Sequence, residues 1–191
     1  MLRDGYDAVG VDMIARAAGI GRTTFFRYFG TKSGVIWAAF DGTIAALEAS
    51  IARADLGADP LDIIRQGIVS STDAATRDSE AWLERFVLID SVEDLRFGAY
   101  QHWEDWKHVI AQYLAECMGV PADAAVPMSV AGACQGVFVG SLRALHNRGG
   151  SREDLLLRLD GDLRRVCGSL RELVTPPSSQ YSTSARRPTS I

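Results

Sequence analysis

The chain has 191 residues, of which 47% are hydrophobic and 23% charged, and its net charge is −4. This length allows one substantial globular core or a small domain joined to a larger one. No apolar run approaches the roughly 20 residues of a membrane-spanning helix, and the N-terminus lacks the features of a signal peptide. The three cysteines, Cys117, Cys134 and Cys167, form no C-x-x-C pair, which favours reduced, mostly buried thiols in a cytoplasm over a zinc site.

The charge is distributed unevenly along the chain. Residues 1–36 contain five basic and three acidic side chains, a net charge of +2, so the remainder carries −6. We call residues 1–36 the head and the remainder the body. A small basic head followed by an acidic body fits a modular DNA-binding protein better than an enzyme with a basic cleft.

Two short helices joined by a glycine turn are predicted near the N-terminus. The first has an apolar stripe at helical spacing, made of Val11, Ile14, Ala15 and Ala18. Gly19 follows where a helix end favours the positive φ of glycine, and Gly21 can open the second helix. That second helix is expected to turn Phe25, Phe26 and Phe29 inward, with at least two of them in the core. Such a pair is typical of the helix-turn-helix, whose second helix enters the DNA major groove.

Residues that start and stop helices recur along the chain up to residue 174. No alternation of apolar and polar residues typical of a strand appears, so the predicted fold is all-α. Thr31 is expected to cap the next helix, Asp59 to cap another that opens with Pro60, and residues 151–154 to form a capping box. The predicted helices cover about 31–56, a stretch from Pro60, 79–90, 94–118, 127–146 and 152–174. Residues 175–191 are rich in Pro and Ser and are expected to be disordered.

Residues 5–36 resemble the helix-turn-helix of TetR-family transcriptional regulators. The matching residues are Gly5, Tyr6, Val11, Ile14, Ala15, Ala18, Gly19, Ile20, Thr24, Phe26, Tyr28, Phe29, Thr31 and Lys32. Residues 21–29, followed by Trp37 and Asp41, are similar to the mycofactocin-associated regulators within that family. The resemblance implies a DNA-binding domain over 1–36 and a larger helical domain for effector binding and dimerisation over 37–174.

Two features depart from the family pattern. Gly10 stands where family members usually carry a Thr or Ser cap, and a complete helix normally precedes the position of Gly5. Either the start codon is assigned too far downstream or the chain is a genuine truncation. Without that helix, Ile14, Phe26 and Phe29 would lack a cover, and the head would be less stable and bind DNA less tightly.

The resemblance implies six DNA-contacting side chains. They are Arg22, Thr23, Thr24, Arg27, Tyr28 and Lys32. Arg22 can bond guanine O6 and N7, and a threonine can present its methyl to thymine. Tyr28 and Lys32 match the phosphate-contacting positions of the family, whereas Arg27 can contact phosphate or simply solvate the helix.

Aromatic residues on two later helices are candidates for an effector site in the larger domain. The set, with one polar residue, comprises Trp82, Phe86, Tyr100, Trp103, Trp106 and Gln135. Aromatic walls with few polar groups suit an apolar or acyl-type ligand. The alternative is that these residues are ordinary core, because aromatic stripes at helical spacing usually are.

Gly132, Gly136 and Gly140 recur at intervals of four residues. Three glycines would cost a helix roughly 3 kcal/mol relative to alanine, and close helix approach is the natural compensation. Two alternatives follow, a four-helix bundle between two copies of the chain or an internal packing seam.

Together with these patterns, the resemblance implies a homodimeric, cytoplasmic repressor that binds a pseudopalindromic operator in double-stranded DNA and responds to a small-molecule effector. The alternative is a truncated ligand-binding dimer with weak or no DNA binding. An enzyme is not expected, because no G-x-S-x-G, H-E-x-x-H or phosphate loop frames the three histidines. No cofactor, metal or membrane partner is predicted.

Overall fold

The computed structural model describes residues 5–55, 57–78 and 81–174, which form an all-α fold of eight helices without a strand. The helices are α1 (Val11–Ala17), α2 (Arg22–Phe29), α3 (Gly34–Ala52), α4 (Pro60–Asp78), α5 (Trp82–Ser91), α6 (Glu93–Met118), α7 (Ala125–Arg148) and α8 (Arg152–Val174). The all-α prediction is therefore confirmed for this part of the chain. The predicted tail, 175–191, lies outside the described residues.

Side-chain caps start α4 and α8 where the sequence predicts them. Asp59 Oδ1 accepts hydrogen bonds from the backbone N–H groups of Leu61 at 2.9 Å and Asp62 at 3.1 Å. Before α8, the Ser151 N–H donates to Asp154 Oδ2 at 2.9 Å, and the Asp154 N–H donates to Ser151 Oγ at 3.1 Å. This exchange is the reciprocal geometry of a capping box.

The third helix is shorter than predicted. Thr31 Oγ1 does accept the Gly34 N–H at 3.0 Å, but the helix begins only at Gly34 and ends at Ala52. Gly34 lies so close to the end of α2 that a Cβ there would stand 1.9 Å from the Phe29 carbonyl oxygen. The tight corner between α2 and α3 therefore requires glycine.

The helix-turn-helix has a small core of its own. Phe25 is completely buried, and Val9 and Ala15 are nearly so. Burying one phenylalanine stabilises a fold by roughly 1.5–3 kcal/mol, so Phe25 is the main apolar anchor of this unit. Ala18, predicted in the apolar stripe, is instead exposed, because α1 ends at Ala17.

The larger domain has its core between α3, α4, α6, α7 and α8. Trp106 and Ile110 on α6, Leu142 on α7 and Leu159 on α8 are almost fully buried within it. Cys134 and Cys167 are also buried here as free thiols, whereas Cys117 is exposed.

A second, smaller cluster joins the helix-turn-helix to the larger domain. Ile36 on α3 packs with Ile89 on α5 and with Leu95 and Ala99 on α6, and Tyr6 lies against the same cluster. Because only four residues separate α2 from α3, this cluster fixes α2 relative to the larger domain.

Two stretches contain an 18-residue window with a mean hydropathy of 1.4, namely Arg22–Ala52 and Ala125–Arg148. The apolar runs are thus longer than expected from the sequence. The first is interrupted between Phe29 and Gly34, and the second is α7, whose buried side chains pack against α6 and α8. Core helices satisfy the same criterion, so the two stretches are weak evidence for membrane spans.

Candidate nucleic-acid interface and ligand pockets

The recognition helix α2 directs its polar side chains away from its core. Gly21 caps it in an extended conformation, directly after the turn at Gly19, whose φ of +67° confirms the expected need for glycine. Phe25 faces inward on this helix. Of the six predicted DNA contacts, four are exposed, namely Arg22, Thr23, Arg27 and Tyr28, and two are half-buried, namely Thr24 and Lys32.

Arg22 is held in place by two neighbours. Its Nη1 lies 2.6 Å from Asp12 Oδ1, and its guanidinium stands 5.2 Å from the centre of the Phe26 ring. The side chain remains 61% exposed. Asp12 is a partner of Arg22 that the sequence did not single out, since nothing in the α1 pattern indicates a contact ten residues away.

Tyr28 and Lys32 each lie in a cation–π contact. The Arg27 guanidinium stands 5.1 Å from the Tyr28 ring centre, and Lys32 Nζ stands 4.0 Å from the ring centre of Tyr6. Burial raises the pKa of the Tyr6 hydroxyl. Tyr6 was matched to the family, but its role as a platform for Lys32 comes only from the structure.

The expectation that Phe26 points inward is wrong. Its side chain is 39% exposed, whereas Phe25 is completely buried and Phe29 is half-buried. Residues 25 and 29 are four apart and share a helix face, and residue 26 is turned about 100° from residue 25. Phe26 therefore lies at the edge of the core, where Arg22 covers one side of its ring.

The predicted effector residues Trp82, Phe86 and Trp106 line one apolar space, which we call the inner pocket. Its wall is completed by Ile36, Ala39, Phe40 and Thr43 of α3, Arg85 and Ile89 of α5, and Phe138 of α7. The cavity volume is about 30 Å³, the share of a single water molecule in the liquid. In this conformation it cannot hold an effector of ordinary size.

Phe138 is the hub of these aromatic residues, and the sequence prediction missed it. Its ring centre lies 5.6 Å from that of Trp106, 6.0 Å from Trp103 and 6.2 Å from Trp82. Phe138 belongs to a nearly continuous apolar helix, α7, in which no stripe marks one face as special. Trp106 is 1% exposed, so the core alternative for it is correct as well.

The other predicted residues, Tyr100, Trp103 and Gln135, line a wider outer cleft of about 440 Å³. Phe86 and Ile89 line both spaces and stand between them. Each of the six predicted effector residues therefore borders at least one of two adjacent spaces. Tyr100 is 69% exposed and forms part of the rim.

The outer cleft is more polar than the sequence led us to expect. Arg143 bonds both oxygens of Asp90, through Nε at 2.9 Å and Nη2 at 2.6 Å, and this hydrogen bonding lowers the pKa of the Asp90 carboxyl. Lys107 pairs with Glu104 at 2.7 Å, and Arg96 lines the same cleft. Aromatic walls with few polar groups describe the inner pocket only.

The three glycines of α7 lie on its outer face. A Cβ at Gly132, Gly136 or Gly140 would meet no atom of the described residues within 4 Å. Among the described residues the internal-seam alternative is therefore wrong, because no second helix comes within 4 Å of a Cβ at these positions.

Comparison with known protein families assigns both parts of the chain. Residues 1–39 match the family model described as "Bacterial regulatory proteins, tetR family", and residues 58–171 match the one described as "MftR C-terminal domain". The second match covers more than half of the chain.

One curated relative and one solved structure agree with this assignment. The chain is 29% identical over 137 residues to a Mycobacterium tuberculosis protein named "Putative mycofactocin biosynthesis transcriptional regulator MftR", covering 72% of this chain and 69% of the relative. A crystal structure of a TetR transcriptional regulator from Rhodococcus sp. RHA1 matches in fold, with a TM-score of 0.56 and 15% identity over 89% of this chain and 87% of that one. The chain belongs to the TetR family of bacterial transcriptional regulators and carries a C-terminal domain of the MftR type.

Proposed function

We propose that this protein is a cytoplasmic, homodimeric repressor that leaves its operator when a small apolar or acyl-type molecule enters the larger domain. The observation that carries the proposal is the position of α3. This helix supplies Ile36, Ala39, Phe40 and Thr43 to the inner pocket, and it follows the recognition helix after only four residues.

Because the inner pocket is small, a ligand can occupy it only if the helices that form its wall move. A ligand of ordinary size needs about 300 Å³ or more, ten times the present space. It must therefore displace part of the wall, and one side of that wall is α3. A ligand that binds the opened conformation more tightly shifts the population towards it.

The cluster around Ile36 extends this coupling to the head. Ile89 belongs both to that cluster and to the walls of the two ligand spaces. A shift of α5 or α3 on ligand entry would disturb the packing of Ile36 and Tyr6, and Tyr6 in turn supports Lys32. The spacing between two heads on a dimer would then no longer match two half-sites of DNA.

An acyl-type ligand fits the composition of the inner pocket. Its walls are aliphatic and aromatic except for Thr43 and Arg85. An apolar chain would pack against the aromatic walls, and a carboxyl or carbonyl oxygen could accept a hydrogen bond from Arg85.

Dimerisation is supported by the outer face of α7. A Cβ at Gly132, Gly136 or Gly140 meets no other described helix within 4 Å, which leaves room for the close approach of a second copy. A two-fold dimer would present two recognition helices to a pseudopalindromic operator.

The proposal assigns DNA contacts to the six residues on and after α2. Arg22, Thr23 and Thr24 would reach base edges, Tyr28 and Lys32 would contact phosphates, and Arg27 would contact phosphate or solvent. Arg22 would exchange its Asp12 partner for a guanine edge on binding.

The test is operator binding measured by fluorescence anisotropy, on duplexes selected from a random pool by the wild-type protein. The variant Arg22→Ala with Tyr28→Ala should bind roughly a hundredfold more weakly, since one bidentate contact alone contributes about 1–3 kcal/mol. Arg53→Ala is the matched control, because Arg53 is exposed at the far end of α3. Unchanged affinity in the double variant refutes the contact assignment, and a wild-type dimer that selects no duplex favours the ligand-binding alternative.

The effector half of the proposal is tested by mass spectrometry of ligands that co-purify with the protein. A molecule found there should release the selected duplex in the anisotropy assay. A co-purifying molecule that binds the protein yet leaves the duplex affinity unchanged would contradict effector control.

A further inference from the structure

Arg22, a base-reading residue of the proposed function, lies beside an acceptor that has no role there. Nη1 of Arg22 lies 2.6 Å from Oδ1 of Asp12. Asp12 belongs to the first turn of α1, and Arg22 is the first residue of α2. The contact therefore joins the two helices of the helix-turn-helix and presents a donor and an acceptor side by side.

Both side chains are open to a partner from outside the chain. Asp12 is 65% exposed and Arg22 is 61% exposed. An exposed ion pair of this kind changes an equilibrium constant by no more than about fivefold. The pair therefore contributes little to folding, and it can open when both of its members find partners elsewhere.

Opening the pair for DNA leaves the Asp12 carboxylate in need of a donor. Once Arg22 moves to a guanine edge, the carboxylate stands without its partner beside the DNA phosphates. The phosphates repel it, and its lost hydrogen bond costs free energy. A complex in which the DNA itself offers a donor to Asp12 avoids this cost.

A G·C base pair presents groups that are complementary to this ion pair. In the major groove, guanine offers the acceptors N7 and O6, and its cytosine partner offers an N4–H donor. O6 and N4 are hydrogen-bonded to each other within the base pair, so they stand about 3 Å apart. Nη1 of Arg22 and Oδ1 of Asp12 are separated by nearly the same distance. An A·T pair offers a donor as well, but neither of its bases presents two acceptors to an arginine.

We propose that Asp12 contacts the cytosine of the base pair whose guanine Arg22 contacts. The inference rests on the DNA contact proposed for Arg22 and adds a specificity-determining residue to it. Arg22 donates to guanine O6 and N7, and the Asp12 carboxylate accepts the cytosine N4–H. The two side chains thus recognise both strands of a single base pair, and Asp12 joins the interface from α1, outside the six contacts on and after α2.

Modified bases test the two contacts separately, by anisotropy on the duplex that the wild-type protein selects. 7-Deazaguanine removes the N7 acceptor. The guanine whose replacement weakens binding of the wild type but not of Arg22→Ala is the one that Arg22 contacts. N4-methylcytosine opposite this guanine keeps the base pair but places a methyl group where the N4–H faced the groove.

The wild type should bind the duplex with N4-methylcytosine about tenfold more weakly, the effect of losing one base contact. Asp12→Ala should bind the methylated and unmethylated duplexes equally tightly, and it should still be weakened by 7-deazaguanine. Asp7→Ala is the matched control, because it removes the same charge from an exposed position ahead of α1. This control should respond to both modified bases as the wild type does.

The outcomes separate this inference from the proposed function. A wild-type protein that selects no duplex, or an Arg22→Ala variant that keeps its sensitivity to every 7-deazaguanine, refutes the Arg22 contact and the Asp12 contact together. If N4-methylcytosine leaves the wild-type affinity unchanged, or weakens Asp12→Ala equally, only the Asp12 contact is wrong. Loss of 7-deazaguanine sensitivity in Asp12→Ala would show that the carboxylate positions Arg22 and does not contact cytosine. Circular dichroism of each variant verifies that the chain remains folded.

Discussion

Replacing Gly98 with alanine should strain the contact between α6 and the helix that follows the DNA-binding unit. A Cβ at position 98 would stand 3.0 Å from Cζ2 of Trp37 and 3.5 Å from its Cε2. The Trp37 ring cannot easily retreat, because it stacks on His102 at 4.5 Å, and His102 is bonded to Asp41 at 2.7 Å.

Two opposing effects determine how far Gly98→Ala changes the free energy of unfolding. Alanine in a helix interior is favoured over glycine by about 1 kcal/mol, whereas overpacking a well-filled contact costs about 1–3 kcal/mol. The net expectation is a loss of stability of roughly 0–2 kcal/mol. The operator affinity should also fall, since Trp37 lies against the cluster that joins the head to the body.

The assay is urea unfolding, with Gly42→Ala as the matched control. Gly42 lies in α3, and a Cβ there meets nothing within 4 Å, so Gly42→Ala should gain about 1 kcal/mol from helix propensity alone. Adding Trp37→Phe should relieve part of the Gly98→Ala penalty in a double-mutant cycle. If Gly98→Ala is stabilised as much as Gly42→Ala, Trp37 does not restrict the side chain at position 98, and the predicted strain between α3 and α6 is refuted.

Three further predictions follow from the caps, the glycine corner and the outer cleft. Gly34→Ala should abolish operator binding, because its Cβ would collide with the Phe29 carbonyl oxygen; anisotropy would reveal this, and wild-type affinity would contradict it. Asp59→Ala should cost about 1 kcal/mol by removing two capping bonds and an exposed ion pair with Arg171, measured by urea unfolding against Asp123→Ala, at an exposed position before α7. Asp90→Asn should lower the Tm near pH 6, and the difference should vanish as the pH falls through the lowered pKa of Asp90, below its ordinary value of 3.8. A difference that does not change with pH would show that Asp90 does not act through its charge.

Local signals in the sequence were sufficient for most helix boundaries. The caps at Asp59 and Ser151 act within three residues, so the residues themselves carry the information. The N-cap of α3 was predicted at Thr31, two residues before its position at Ser33, because the Gly34 corner depends on the carbonyl of Phe29 in the preceding helix. Distances between helices cannot be read from either helix alone.

The aromatic candidates were predicted in part for the right reason. Trp103 and Trp106 lie on the stripe that faces Phe138, and both contact it. Tyr100 lies one position after the buried Ala99, about 100° around the helix, and is therefore exposed at the rim of the outer cleft. Periodicity identified the apolar side of α6 but did not separate core from pocket wall.

The charged residues of the outer cleft could not be predicted from the sequence. Asp90 and Arg143 are 53 residues apart, and each resembles an ordinary solvated charge on its own helix. Their pairing depends on how α5 and α7 pack, which local patterns do not specify. The same holds for His102 and Asp41, which join α6 to α3.

The closed inner pocket and the α3 wall together imply a reciprocal relation between the two proposed ligands. If an effector must displace α3 to enter a space of about 30 Å³, the conformation that it favours differs from the one with the pocket closed. An effector that weakens operator binding by a given factor must then itself bind the operator complex more weakly by the same factor. Because the wall residues Ile36 and Phe40 touch both the pocket and the cluster that holds the head, substitutions there should change this coupling factor more than they change either affinity alone.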